Sequence, residues 1–163
     1  LLEFPQVIVK RVDENETNGM FWRFYPCFDD TYEIVTCRDC DSRLTAREAS
    51  AVNEWIKSGK QFHVIRDHRQ HENYPMSGGL WGMRGKLSTE LLDRMKTHER
   101  MLHYGADIQF LCDAVWPIAK SDLHKTCLKS TPWFAESRCK NPRNFVGQKY
   151  TADESPMCDP VRG

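Results

Sequence analysis

The chain has 163 residues, of which 40% are hydrophobic, and its 23 Lys+Arg balance 23 Asp+Glu to give a formal net charge of zero. That length supports one domain with its own core, and the charge balance offers no general attraction to nucleic acid or to an anionic membrane surface. No apolar stretch is long enough to span a bilayer, and no signal peptide is visible at Leu1.

In chain order, Val7-Ile8-Val9 predicts a short first strand, and Asp13 to Gly19 is polar and turn-like. Phe21, Phe24, Tyr25 and Phe28 fit one face of a core helix that Pro26 should kink or end. The run from Tyr32 to Cys37 predicts a buried strand. Thr45-Ala46-Arg47-Glu48 is a capping box that opens a helix with an Ala49, Val52, Trp55 and Ile56 stripe, stopped at Ser58-Gly59. Phe62 to Ile65 predicts a second buried strand, ending in Arg66-Asp67-His68. Ser88 caps a helix with Leu91, Leu92, Met95 and Leu102 inward. Another helix starts at Asp107, carries Ile108, Leu111, Cys112 and Val115, and ends at Pro117. Beyond it the sequence is irregular, with a short strand at Asn144 to Gly147. The alternation of strands and helices predicts an α/β fold, with residues 1–150 as the domain and 151–163 as a tail.

Several groups of residues carry candidate chemistry. Asp39 and Asp41 follow the Tyr32–Cys37 strand directly. Ligands in open α/β sheets sit outside the carboxyl ends of strands, and two carboxylates there supply hard oxygen ligands for Mg²⁺ or Mn²⁺. The alternative is a solvated turn with Asp41 or Ser42 capping the next helix. His63, His68 and His71 fall within nine residues and raise the possibility of zinc, but the helical zinc-protease signature is missing. Arg66-Asp67-His68 instead sits at a strand end and faces substrate. Gly78-Gly79-Leu80-Trp81-Gly82 is a loop where backbone can approach a ligand and Trp81 can stack on a sugar ring, or else a turn beside a core tryptophan. Asp107 and Gln109 at a helix start position an acceptor hydroxyl, or form an ordinary cap. His124 stands alone in a polar segment, and it matters only as a third ligand beside Asp39 and Asp41.

The seven cysteines are Cys27, Cys37, Cys40, Cys112, Cys127, Cys139 and Cys158. Cys37-x-x-Cys40 reads as a redox pair or half a zinc site, or Cys37 is simply a small hydrophobe in its strand. Cys127, Cys139 and Cys158, in irregular sequence, are the disulfide candidates. With the Asn15-Glu16-Thr17 glycosylation sequon they point to a secretory lumen or the extracellular space, with the cytoplasm as the alternative.

Read together, Gly19 to Phe24, Arg38-Asp39-Cys40-Asp41-Ser42-Arg43, Glu48 with Ala51 to Trp55, His63 with Arg66-Asp67-His68, Gly78 to Gly82, Tyr104 to Asp107 with Gln109 to Leu111, and Phe145 to Gln148 resemble the GT-A glycosyltransferases. The resemblance runs from about Gly19 to Gln148. It implies a GT-A-like mixed sheet flanked by helices, truncated at its N-terminus, since only 38 residues precede Asp39. It further implies a metal-dependent transfer of sugar from a nucleotide-sugar donor to a glycan or protein hydroxyl. In that reading Asp39, Asp41 and His124 hold Mn²⁺ or Mg²⁺, and Arg38 and Arg43 flank the donor site. Asp107 and Asp67 are then the catalytic carboxylates, and His68, Gly78, Gly79, Trp81 and Gln109 line the substrate. The alternative is an inactive GT-A-like protein that binds glycan or serves as a structural or assembly subunit.

Overall fold

The computed structural model describes residues 4–12, 18–127 and 146–150. Its centre is a four-stranded mixed sheet of β1 (Ile34–Cys37), β2 (Phe62–Arg66), β3 (Trp81–Arg84) and β4 (Leu123–Cys127), in the order β1-β3-β2-β4. β3 is antiparallel to both β1 and β2, whereas β2 and β4 are parallel. Three strands therefore run one way, and their carboxyl ends share an edge with the start of β3. The helices are α1 (Ala46–Ser58), α2 (Thr89–Glu99), α3 (Ala106–Phe110) and α4 (Trp116–Ala119), and no helix among the described residues is long and apolar enough to cross a membrane. The protein is thus mixed α/β.

Alternation along the strands gives the sheet two different faces. Val35, Cys37, Phe62, Val64, Trp81 and Met83 enter the main core with Phe21, Phe24, Met95 and Phe110. The opposite face meets α1. There Trp55 stacks on His63 with ring centroids 5.1 Å apart, and Ile65 and Leu80 pack with Ala51 and Val146.

The aromatic segment is a 3-10 helix, Gly19–Phe28. Three residues per turn place Phe21, Phe24 and Cys27 on one buried face. Tyr25, expected inward on an α-helical period, is 37% exposed and is held instead by its hydroxyl to Glu99 at 3.0 and 3.1 Å. That bond and burial raise the Tyr25 pKa to about 12, burial being the larger cause.

α1 begins where the capping box puts it, with Thr45 Oγ1 accepting from the Glu48 N–H at 3.2 Å, and it ends on Gly59 in the left-handed conformation at φ 71°. The buried stripe is Glu48, Ala51 and Trp55, while Ala49 and Ile56 face solvent. In α2, Ser88 caps as expected, but Leu102 lies beyond the helix and is 91% exposed. The helix from Ala106 does not stop at Pro117. It continues through a π-turn, Leu111–Val115, into α4, and the wider turn accommodates a residue that cannot donate a backbone hydrogen bond.

Val7-Ile8-Val9 forms no strand, and Ile8 and Val9 are 71% and 60% exposed. Val146-Gly147 is a turn rather than part of a strand, although Val146 is buried. The sequon, Cys139 and Cys158 lie outside the described residues. Cys127 ends β4 as an exposed free thiol.

Candidate functional site

At the end of β1 the alternation of the strand continues for two residues and separates Arg38 from Asp39. Arg38 turns towards α1. Its Nε meets the Glu48 carboxylate, and its Nη1 donates to the carbonyls of Cys37 at 2.6 Å and Trp81 at 3.1 Å. Two of its guanidinium nitrogens thus tie the strand end to α1, while Nη2 is buried without a partner among the described residues. Glu48 supplies the other half of this pair, instead of closing the capping box.

Asp39 turns the other way, towards the 3-10 helix, where its Oδ1 pairs with Arg23 Nη1. Its carbonyl accepts from the Ser42 N–H at 3.3 Å and the Ser42 hydroxyl at 2.8 Å, so residues 39–42 form a turn. Asp41 occupies the third position of that turn and is exposed, 3.7 Å from Lys149 Nζ. Its carbonyl takes the Tyr150 N–H at 2.9 Å, and Arg43 lies over the Tyr150 ring at 5.4 Å. The carboxylates therefore stand at a strand's carboxyl end and on a turn. The helix cap belongs to Thr45.

Gly78 and Gly79 bring a second acid to the same place. A Cβ at Gly79 would stand 2.2 Å from Asp39 Oδ2, and one at Gly78 would stand 2.6 Å from Asp107 Oδ2 and 3.2 Å from Arg23 Nη1. The absence of both side chains lets two carboxylates and a guanidinium close on one stretch of backbone. Asp107 is 5% exposed. Burial raises its pKa, the Ile108 N–H and Arg23 lower it in part, and the Asp39 charge raises it further. Arg23 is the member of this group absent from the sequence-derived site. It lies within the Gly19 to Phe24 stretch of the resemblance, as the one basic residue among aromatic ones.

Other expected members lie elsewhere. Trp81 is fully buried, with its ring 5.8 Å from Phe24 in an edge-on contact, because Gly78 to Gly82 leads into β3 instead of forming an open loop. It is not available as a sugar platform. Gln109 is exposed while Asp107 is buried, as two residues on a helix diverge by about 200°. His124 lies in β4 and pairs with His63 in mid-sheet, on the α1 face, with ring centroids 5.7 Å apart. Asp39 faces the other side, so His124 does not join it. Among the described residues, no three His, Cys, Asp or Glu side chains form a group that could hold a metal ion.

Asp67 follows β2 at the same edge but is closed in. Its Oδ1 pairs with Arg47 and its Oδ2 accepts from the Val146 N–H at 3.0 Å. Burial raises its pKa, opposed by Val146 and Arg47. His71 Nδ1 accepts from the backbone N–H groups of both Asp67 and His68 at 3.1 Å, which fixes its neutral form, and burial then the His68 charge lower its pKa to about 4. His68 Nδ1 in turn accepts from the Gln70 N–H at 3.3 Å. His63 Nε2 bonds the Thr126 hydroxyl at 2.8 Å, and mainly through burial its pKa falls to about 3. Each of the three histidines thus has an internal hydrogen bond, and His63 Nδ1 is buried without a partner among the described residues.

Compared with protein-family models, curated proteins and solved structures, the chain matches none.

Proposed function

We propose that the chain is a metal-dependent glycosyltransferase of GT-A type, moving a sugar from a nucleotide-sugar donor to a hydroxyl of a glycan or protein acceptor in a secretory or extracellular setting. The supporting observation is the grouping of Asp39, Asp107 and Arg23 at the carboxyl edge of β1, where open α/β sheets place their ligands. The donor set suits a hard divalent cation: Asp39 Oδ2 has no hydrogen-bond donor among the described residues, and Asp41 is exposed, with Lys149 at 3.7 Å. Asp39 and Asp41 would hold Mn²⁺ or Mg²⁺, which when bound supplies charge to balance a departing nucleoside diphosphate. Arg23 orients Asp39. Asp107, with a raised pKa, is suited to accept the proton of the attacking hydroxyl. Transfer from a nucleotide-sugar in the presence of Mn²⁺ should fall at least about a hundredfold in both Asp39→Ala and Asp41→Ala. Unchanged turnover in both variants would end the metal role.

A second reading has its own observation. Asp107 and Gly78 are buried, Trp81 is inaccessible, and an open cavity of about 410 Å³ lies at the other end of the sheet, beside Gln61, Phe62 and Leu87. This favours a GT-A-like protein that binds glycan or supports an assembly without turnover. Such a protein gives no transfer and no heat with UDP and Mn²⁺.

A further inference from the structure

Cys27 and Cys37 come from different elements, the end of the 3-10 helix and the last residue of β1, and meet in the main core. Their Sγ atoms are 3.9 Å apart, and the two residues are 0% and 2% exposed. Cys37 also donates its S–H to the Arg23 carbonyl at 3.3 Å. The chain of contacts is therefore Cys27 S–H to Cys37 Sγ, and Cys37 S–H to the helix backbone. By contrast, Cys40, the partner of Cys37 in the redox-pair reading of Cys37-x-x-Cys40, is exposed on the turn. Strand alternation accounts for this: Cys37 points into the core at the strand end, and Cys40 has already left the sheet.

We propose that Cys27 and Cys37 are a disulfide site, closed in an oxidising compartment and open in a reducing one. Closure brings the sulfurs from 3.9 Å to the covalent distance of about 2.05 Å and exchanges the S–H bond to Arg23 for a covalent link. The oxidant is a small-molecule disulfide such as oxidised glutathione. One cysteine thiolate attacks it and releases one glutathione thiolate. The second cysteine then attacks the mixed disulfide and releases the other. Two protein S–H bonds are lost, one S–S bond forms, and two glutathione molecules leave reduced. The bond would fasten the helix that carries Arg23 to the strand that delivers Asp39.

Timing follows from the surroundings. The Cys37 hydrogen bond and burial hold the Cys27 thiol well above its ordinary range in the folded protein, which suppresses the attacking thiolate. Closure belongs to folding, before the core excludes solvent, and the finished bond is shielded from reductants by the same core.

The test is simple because no Lys or Arg lies between Phe24 and Cys37, so trypsin releases both cysteines on one peptide, residues 24–38, and Cys40 on the next. The full chain is produced in an oxidising compartment and, separately, refolded with reduced and oxidised glutathione. Both preparations are alkylated, digested and weighed. The expected result is a 24–38 peptide two hydrogens lighter and unalkylated, which gains two alkyl groups after dithiothreitol. Cys27→Ala should then leave Cys37 singly alkylated. Protein refolded in dithiothreitol should melt roughly 5–10 °C below the oxidised protein, and that difference should vanish in Cys27→Ala. Full alkylation of both thiols in protein made in the oxidising compartment overturns the proposal. So does a cross-link from the 24–38 peptide to Cys40 or to any other cysteine.

Discussion

Asp39 and Asp67 occupy equivalent places, each leaving a strand at the same edge of one sheet and each paired with an arginine. Their surroundings differ. The Asp39 side chain is 37% exposed and that of Asp67 is 0% exposed. Asp39 keeps one oxygen without a donor among the described residues, whereas both oxygens of Asp67 are taken, by Arg47 and by the Val146 N–H. A strand-end carboxylate is therefore a ligand candidate only when something leaves it open. Here the difference arises from the segment at residues 146–150, which covers Asp67 with Val146 but meets the Asp39 turn only through Asp41, Ser42 and Arg43.

The strongest way to break the comparison is acid. The loop of Asp67 is built on neutral His71, with a folded pKa of about 4, and the adjacent sheet carries His63 at about 3, both below the ordinary 6.5. An unfolded chain binds these protons first, so the stability they contribute is fully present above pH 6.5. It is lost as pH falls towards 4 and then 3, at about 1.4 kcal/mol per pH unit for each imidazole. Asp67 and Asp107, with raised pKa values, act in the opposite sense and offset part of the loss as they protonate. Melting temperature followed from pH 7 to 4 should fall steadily, and a flat profile would contradict the neutral-histidine assignment.

Substitution of the closed acid comes next. Asp67→Ala leaves the buried Val146 N–H without its acceptor and removes one partner of Arg47, and should cost about 2–4 kcal/mol in urea unfolding. Gly79→Ala should cost about 1–3 kcal/mol, because its Cβ would meet Asp39 Oδ2 at 2.2 Å and backbone nitrogen at 2.9 Å, and part of this can relax by moving Asp39. The smallest effect belongs to the open acid: Asp39→Asn should change stability by less than about 1 kcal/mol, since the ion pair is solvent-screened. Should Asp39→Asn prove as damaging as Asp67→Ala, Asp39 is a structural acid and the contrast fails.

Much of this arrangement was legible in local sequence. β1 and β2 were visible as short apolar runs, and α1 and α2 through Thr45, Gly59 and Ser88, because strand burial and helix caps are written in neighbouring residues. What escaped depended on non-local pairing. β3 was hidden by glycines that serve close packing, and β4 by the polar run Leu123-His124-Lys125-Thr126, whose inward side chains pair with His63. The resemblance implied roles for Asp39 and Asp107 but none for Arg23, which reaches them from a 3-10 helix whose period of three differs from the α-helical one. Strand alternation turns Arg38 to the α1 face, away from Asp39, whereas Trp81 shares the face of Asp39 but is buried against Phe24.

Calorimetric titration of UDP with Mn²⁺ into the native protein and into Asp39→Asn, both checked for native melting behaviour, decides whether Asp39 is the open acid of a donor site. The native protein should give saturable heat, and the variant should lose at least about tenfold in affinity. Equal binding by the two proteins, or none by the native one, would contradict that role.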